Sequence, residues 1–256
     1  MTIVFVHGVP ETPTVWDAVR RLLPGDSVAL RLPGFGSPRP PELTGKDAYA
    51  AWLAGELRNI GADIDLVGHD WGGHLAMRVV SAFPGVPVRS WVSDVAYGWH
   101  PGYRWHPAAT MWQQSPEGEQ SLAAIRAGTP GTFGRLLGPR GMTPEVGADI
   151  DAAHDETMDA AILALYRSAW PNFDADWKAA PIDVPGLILM PTGDAMDGVD
   201  PDEVRTQNEE VAATTGALLR ELDGLGHYWM LQDPARAADT LRAFWDSLPP
   251  ADTGRR

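Results

Sequence analysis

The stretch Val67-Gly68-His69-Asp70-Trp71-Gly72-Gly73 decides the fold that this chain can adopt. A short strand-like run, residues 63–66, precedes it, and a helical stretch, residues 73–80, follows it. A strand, a sharp turn and a helix in this order, with glycines on both sides of the central residue, are typical of a nucleophile elbow. We therefore predict that a tight turn presents the Asp70 side chain at the edge of a sheet.

The aspartate at the centre of this turn limits the reactions that the site could catalyse. A serine nucleophile needs a base to remove its proton, whereas a carboxylate is already anionic at neutral pH and attacks a saturated carbon directly. Asp70 therefore favours the opening of an epoxide or the displacement of a halide over ordinary ester hydrolysis. A solvated turn aspartate is the alternative interpretation, and the glycines on both sides of Asp70 argue against it.

Composition and charge describe an acidic domain of enzyme size. The 256 residues are 44% hydrophobic, include no cysteine and carry 34 acidic against 20 basic side chains, a formal charge of −14. We expect no nucleic-acid partner and no membrane partner, because this charge repels phosphate backbones and anionic lipid surfaces. The expected partner is a small neutral or apolar molecule, and the protein is expected to be a monomer or homodimer. Met1 leads directly into an apolar run without a basic region, so a cytoplasmic location is expected.

Short apolar runs alternate with helical segments, which predicts an α/β fold with a mostly parallel central sheet and helices on both faces. The predicted strands are Ile3–Val6, Ser27–Arg31, Ile64–Gly68, Ser90–Ser93, Gly186–Met190 and Ala217–Leu222. The predicted helices are Pro13–Leu23, Asp47–Asn59, Gly72–Phe83, Glu203–Thr214 and Pro234–Leu248. Strand-like runs are missing from 97–180, which predicts an inserted helical cap there. The core domain is then 1–96 with 181–248, and residues 249–256 form a flexible tail.

Three motifs in order carry a family resemblance: His7-Gly8-Val9-Pro10, Gly68-His69-Asp70-Trp71-Gly72-Gly73 and Gly224-Leu225-Gly226-His227. With these motifs the chain resembles the α/β-hydrolase fold family, in the branch of epoxide hydrolases and haloalkane dehalogenases, over nearly its whole length. Members usually have two further strands before the His-Gly-x-Pro strand, so the resemblance implies a sheet trimmed at its N-terminal edge. It also implies a covalent alkyl-enzyme ester that an activated water molecule hydrolyses.

His227 follows the last predicted strand in a glycine-flanked loop. Open parallel sheets build their sites at the carboxyl ends of the strands, so His227 and Asp70 are expected to meet there. The predicted role of His227 is to deprotonate the water that attacks the Asp70 ester. His69 and His74 are interpreted as structural. The histidines lack ligand-like spacing, so we expect no metal, and no cofactor is implied.

Two strand ends offer a carboxylate that could orient His227. Asp94 ends one predicted strand, whereas Asp194 and Asp197 follow the next. Both ends are used within the branch, and neither of the later aspartates falls at the usual place after the glycine. We favour Asp94 as the third member of the triad, with Asp197 as runner-up, although each could simply cap a loop.

The resemblance also implies an oxyanion hole. The backbone N–H groups of Val9 and Trp71 would face the ester oxygen of Asp70 and stabilise negative charge as water adds. It further implies a cis peptide bond before Pro10.

The substrate class depends on what stabilises the leaving group. An epoxide opens to an alkoxide that needs a proton, whereas a halide leaves as an anion and needs only N–H donors, typically two indoles. Tyr166 lies in a segment that resembles the Tyr-Arg segment of epoxide hydrolase caps, where the tyrosine holds the oxirane oxygen. Trp112 stands where such enzymes carry their other tyrosine, so Trp71 and Trp112 offer a halide pair instead. Either Tyr166 or Trp112 could also be a packing residue of the cap.

The sequence therefore favours an epoxide hydrolase, with haloalkane dehalogenase as the chemical alternative. Haloacetate dehalogenases carry an arginine after the nucleophile, where this chain has Trp71. A non-catalytic binder on the same fold is disfavoured by the intact Asp70 and His227. An ester or lactone hydrolase is disfavoured because carboxylate attack on a carboxylic ester would give a mixed anhydride.

Overall fold

The structure is a computed structural model that describes residues 1–61, 63–128, 131–194 and 200–249. Six strands form one sheet in the order β2-β1-β3-β4-β5-β6, and every neighbouring pair is parallel. The strands are β1 (Thr2–Val6), β2 (Ser27–Leu30), β3 (Ile64–Gly68), β4 (Val88–Ser93), β5 (Gly186–Pro191) and β6 (Leu218–Leu222). All six predicted strands are confirmed, with small differences at their ends.

Helices connect the strands and cover both faces of the sheet. They are α1 (Asp17–Arg20), α2 (Lys46–Ile60), α3 (Trp71–Ala82), α4 (Pro107–Gln113), α5 (Glu117–Arg126), α6 (Thr132–Leu137), α7 (Pro144–Ala153), α8 (Glu156–Ser168), α9 (Pro201–Thr215), α10 (Trp229–Gln232) and α11 (Pro234–Ser247). Short 3₁₀ turns lie at Pro13–Trp16, Ala96–Trp99, Gly138–Arg140 and Phe173–Ala175. Within the described ranges, no helix is both long and apolar enough to cross a membrane.

The helix predicted over Pro13–Leu23 is instead a 3₁₀ turn followed by the single turn α1, which ends at Arg20. The ring of a proline clashes with the carbonyl of the residue four positions earlier, and Pro24 stands four positions after Arg20. The other four predicted core helices are present as α2, α3, α9 and α11. The tail predicted over 249–256 lies, apart from Pro249, outside the described residues.

Both faces of the sheet are buried along β1 and β5, which explains why these strands read as continuous apolar runs. Successive side chains of β1 point to opposite faces. Val4 and Val6 belong to the buried cluster that includes α2 and α3, whereas Ile3 and Phe5 belong to the cluster that includes α11. A strand covered on both sides needs apolar residues at every position.

The helical insertion (residues 97–180) joins β4 to β5 and contains α4–α8. It contacts the core near the carboxyl ends of the strands at several points. The Thr12 hydroxyl donates to the Asp149 carboxylate of α7 at 2.5 Å, and the Lys46 N–H donates to the Ser168 hydroxyl at 2.8 Å. These contacts hold the helices of the insertion over the loop that follows β1 and over α2. Its predicted status as a separate domain remains a prediction.

Candidate active site

The turn between β3 and α3 has the geometry that its glycines predict. Asp70 has φ 48° and ψ −124°, a strained conformation for a non-glycine residue. A Cβ atom on Gly72 would lie 2.3 Å from the Val6 carbonyl oxygen, and one on Gly68 would lie 2.3 Å from the Gly72 carbonyl oxygen. Only residues without a side chain fit these two places, so the sequence forces the chain to present Asp70 at the strand end.

The Asp70 carboxylate already contacts one of the two expected oxyanion donors. The Val9 N–H donates to Oδ1 at 2.9 Å, and the Val9-Pro10 peptide is cis as predicted. Trp71, whose N–H is the other expected donor, stands at the first position of α3, where backbone N–H groups have no partner within the helix. Burial and the nearby Glu11 carboxylate raise the pKa of Asp70, whereas His227, His69 and the Val9 N–H oppose the rise.

His227 lies beside Asp70, with Asp194 behind it. Its Nε2 is 3.9 Å from Asp70 Oδ2, and its Nδ1 is 3.1 Å from Asp194 Oδ2. An imidazole whose Nδ1 faces a carboxylate carries its proton there, which leaves Nε2 free to accept one. Burial alone would raise the pKa of Asp194, but the attraction of His227 and Arg140 holds it well below its usual value. The pair therefore has the arrangement of a base with its orienting acid.

Asp94, the acid that the sequence favours, contacts His69 and Trp229 and does not contact His227. Asp94 Oδ2 accepts hydrogen bonds from His69 Nδ1 at 2.5 Å and from Trp229 Nε1 at 2.6 Å. Its Oδ1 accepts the Asp70 backbone N–H at 2.9 Å. Both oxygens of Asp94 are therefore occupied by His69, Trp229 and the Asp70 backbone. The runner-up, Asp197, lies outside the described residues.

A buried network of Glu11, His69 and Asp94 supports the elbow from below. Glu11 Oε1 lies 3.1 Å from His69 Nε2, aligned as an ion pair rather than as a hydrogen bond, and Glu11 Oε2 accepts the Gly8 N–H at 2.8 Å. Burial would lower the pKa of His69, but Asp94 and Glu11 raise it well above its usual value. Burial would likewise raise the pKa values of both carboxyl groups, yet His69 holds them below normal. The network is thus an imidazolium between two carboxylates.

This protonation state bears on metal binding. Glu11, His69 and His227 each bring one potential ligand atom to within 4.8 Å of the others. A metal ligand must be a neutral imidazole with a free lone pair, whereas His69 holds protons toward carboxylates on both sides. The donor set therefore does not fit a metal ion.

A small cavity of about 20 Å³ lies beside Asp70 between the core and the helical insertion. Its lining residues are largely aromatic or hydrogen-bonding: Asp70, Trp71, His74, Val95, Tyr97, Tyr103, Trp105, His106, Arg140, Tyr166 and His227. Tyr166 is fully buried apart from this face, and burial together with the Asp70 carboxylate raises its pKa well above the usual value. The Tyr166 hydroxyl is therefore protonated at neutral pH.

The expected halide partner, Trp112, is not among the cavity-lining residues of the described chain. Its ring packs edge-on against the Tyr166 ring, with centroids 4.9 Å apart, so it supports that tyrosine from behind. Trp105 faces the cavity instead, stacked 6.3 Å from Trp71. The Trp105 indole N–H already donates to the Pro171 carbonyl at 2.9 Å.

Several cavity residues escape sequence reasoning. Arg140 comes from a turn between two helices of the insertion and carries no recognisable motif. His106 caps α4, because its Nδ1 accepts the Ala109 N–H, which leaves the proton on Nε2. Burial and Arg140 lower the pKa of His106 to about 4, so it is a neutral donor. The helix start at Pro107 was the one available signal for His106, and it says nothing about the cavity.

Comparisons with known proteins agree with this arrangement. An uncharacterized protein of Mycobacterium tuberculosis is 25% identical over 278 residues, covering 98% of this chain and 76% of that protein. A laboratory-evolved variant of potato epoxide hydrolase superimposes with a TM-score of 0.76 at 18% identity, over 96% of this chain and 93% of the other. A loop variant of a haloalkane dehalogenase from Bradyrhizobium elkanii gives a TM-score of 0.68 at 19% identity, over 96% and 90%. The profile of the alpha/beta hydrolase family matches residues 3–240, and the chain belongs to that family.

Proposed function

We propose that this protein is an epoxide hydrolase that uses Asp70 as its nucleophile. The observation that carries the proposal is the placement of three groups around one cavity: the Asp70 carboxylate, the His227 imidazole and the Tyr166 hydroxyl. A carboxylate nucleophile, a base for water and a proton donor are the groups that a two-step epoxide hydrolysis needs.

In the first step, Asp70 attacks one epoxide carbon and the carbon–oxygen bond of the ring breaks. The Tyr166 hydroxyl donates a hydrogen bond and then its proton to the departing oxygen. A raised pKa suits a group that must stay protonated until an alkoxide, a much stronger base, forms beside it.

In the second step, His227 takes a proton from water, and the resulting hydroxide adds to the ester carbonyl of Asp70. The Val9 N–H, 2.9 Å from Asp70 Oδ1, and the Trp71 N–H stabilise the charge on the ester oxygen. Asp194 holds the proton-bearing side of the imidazole and stabilises its charged form. Collapse of this intermediate expels the second diol oxygen as an alkoxide, which takes the proton from the His227 imidazolium. The remaining proton of the water returns from the Asp70 carboxyl group to Tyr166, which restores the Asp70 carboxylate and releases the diol.

Haloalkane dehalogenation is the alternative, because the Trp71 indole faces the cavity and the two chemistries share both steps. A halide needs free N–H donors, and a pair of indoles usually provides them. Here the Trp105 N–H already donates to the Pro171 carbonyl, so this indole is not free to hold a halide. The epoxide is therefore the better substrate hypothesis. The wider expectations of a small neutral or apolar ligand and a cytoplasmic location belong to the same proposal.

The test is to trap the covalent intermediate. In a His227→Gln variant, alkylation of Asp70 should proceed while hydrolysis stops, so the protein mass should rise by the mass of the added epoxide. We would incubate this variant briefly with styrene oxide and, separately, with a bromoalkane, and measure intact mass. Asp70→Asn is the matched control and should show no adduct. If the His227→Gln variant turned over the epoxide at the wild-type rate, His227 would not be the base. Labelling by the bromoalkane alone would favour a haloalkane dehalogenase.

A further inference from the structure

Arg140 joins both loops that carry the proposed base and its acid. Its guanidinium donates to Asp194 through Nε at 3.1 Å and through Nη2 at 2.9 and 3.0 Å, so that both carboxylate oxygens are held. Its backbone carbonyl accepts the N–H of Tyr228, the residue after His227, at 3.2 Å. A single residue of the helical insertion therefore contacts the loop after β5 and the loop after β6.

The backbone around Arg140 is packed against the same loop without spare room. Gly141 has φ +103°, and a Cβ there would lie 2.5 Å from the Gln232 side chain. Gln232 in turn accepts the Gly226 N–H at 2.5 Å, and a Cβ on Gly226 would lie 2.9 Å from the Arg140 carbonyl oxygen. This tight fit fixes the position of Arg140 relative to the loop of His227.

We propose that Arg140 is a positioning residue that orients Asp194 toward His227 and limits how strongly Asp194 stabilises the charged imidazole. The proposal rests on the proposed function, because it assigns a role within the same base and acid pair.

The geometry supplies the orienting part. A carboxylate with one partner can rotate about its Cβ–Cγ bond, whereas an arginine fork that grips both oxygens fixes its plane. Asp194 Oδ2 is shared between Arg140 Nη2 and His227 Nδ1, at 3.0 and 3.1 Å. Holding the plane with the guanidinium thus keeps one oxygen on the imidazole.

Charge supplies the second part. A carboxylate shared with a guanidinium attracts an imidazolium less strongly than a free carboxylate would. The other titratable and charged groups around His227 are Asp70, His69, Glu11, Asp94, Tyr228 and His106. Arg140 also acts on His106 and Tyr166 through its charge, so the test compares the two chemical steps and includes a double variant.

The first experiment replaces the guanidinium with an uncharged chain of similar length, Arg140→Met. Single-turnover kinetics with styrene oxide should show alkylation of Asp70 at the wild-type rate. Hydrolysis of the ester should slow by about 10-fold, a loss that fits removal of one charge-assisted hydrogen bond. In a plot of the hydrolysis rate against pH, the pH below which the rate falls should rise by about one unit. Arg140→Lys keeps the positive charge but loses the forked guanidinium. The rate of ester hydrolysis should therefore fall, while its pH dependence stays near that of the wild type.

Two controls separate positioning from general damage. Arg126→Met removes another guanidinium of the insertion, whose partners Asp159 and Glu156 lie away from the cavity, and should leave both rate constants unchanged. In an Asp194→Asn background, Arg140→Met should have no further effect on hydrolysis. The proposal would be overturned if the losses in hydrolysis rate were additive in the double variant. It would also be overturned if the pH dependence of hydrolysis in Arg140→Met matched that of the wild type.

A measurement without substrate keeps the test independent of the proposed reaction. The Nδ1 proton of His227, held by Asp194, should give a downfield NMR signal that disappears in His227→Gln. In Arg140→Met this signal should broaden or shift, and the imidazole should stay protonated to higher pH. If wild type hydrolyses no epoxide but this signal depends on Arg140, the reaction fails and the positioning role stands. An unchanged signal and titration would reject the role whatever the reaction.

Discussion

Asp94 is buried and Asp194 is partly exposed. Both follow neighbouring strands, yet their contacts predict different defects. Asp194→Asn removes the acceptor of His227 Nδ1, so we expect ester hydrolysis to slow by roughly 10²–10⁴-fold. Alkylation of Asp70 and the urea midpoint should change little. Single-turnover kinetics with mass detection of the ester would measure both steps.

Asp94→Asn should instead damage the fold. It removes one of the two negative charges that hold the buried His69 imidazolium, and breaking a buried pair typically costs about 3–5 kcal/mol. We expect a clear loss of stability in urea unfolding, and residual activity should fall in proportion to the folded fraction. A stable Asp94→Asn protein that accumulates the alkyl-enzyme would return the triad acid to Asp94.

Tyr166 decides between the two chemistries. Tyr166→Phe keeps the ring that packs on Trp71 and Trp112 but removes the proton donor. Epoxide alkylation should therefore fall by roughly 10²–10⁴-fold, as for a lost general acid, with an unchanged melting temperature. Trp112→Phe is the matched control, because the Trp112 ring lies behind the cavity and only its packing should matter. Bromide release that survives Tyr166→Phe, without diol formation by wild type, would favour the dehalogenase.

The elbow between β3 and α3 depends on backbone sterics, which gives a prediction at the level of the element. A methyl group at Gly72 would collide with the Val6 carbonyl, so Gly72→Ala should destabilise the protein by at least about 3 kcal/mol. Gly55, inside α2, is the matched control, since a Cβ there meets nothing within 4 Å. Gly55→Ala should stabilise by ~0.5–1 kcal/mol. Urea unfolding of both variants tests this, and equal effects would refute the steric account.

The elements that sequence predicts well are those fixed by local rules. The six strands follow from apolar runs covered on both faces, and the elbow follows from glycines at places without room for a Cβ. The orienting acid could not be predicted this way. Which strand-end aspartate meets His227 depends on how His69 and Trp229 occupy Asp94 first, and those contacts join segments far apart in the chain.

Arg140 and the other cavity residues of the insertion are even harder to predict from the sequence. Arg140, Tyr103 and His106 lie on short turns and helix starts that have no periodic pattern. Their position comes from docking of the insertion on the core, through contacts such as that of Thr12 with Asp149. Sequence reasoning brings Asp70 and His227 together because the parallel sheet aligns its strand ends, whereas the insertion has no such rule.

Buried histidines make the stability of the whole molecule dependent on pH. Burial lowers the pKa of His7 to about 4 and that of His74 to about 3, and both side chains are nearly inaccessible to solvent. Neutral His7 also accepts the Leu32 N–H at 3.0 Å, which a protonated ring cannot do. His69 behaves in the opposite sense, since its raised pKa gives stability that is complete below pH 6.5 and lost as pH rises.

Between pH 7 and pH 5 the unfolded chain therefore takes up protons on His7 and His74 that the folded protein excludes. We expect unfolding free energy to fall by about 2 kcal/mol for each of these two histidines over this interval, partly offset by His69. Urea unfolding at the two pH values measures the loss. His7→Gln keeps a hydrogen-bonding side chain without titrating, so its loss between pH 7 and pH 5 should be smaller by about 2 kcal/mol. The same loss in wild type and His7→Gln would mean that His7 is protonated inside the folded protein, against the neutral acceptor that its bond to Leu32 requires.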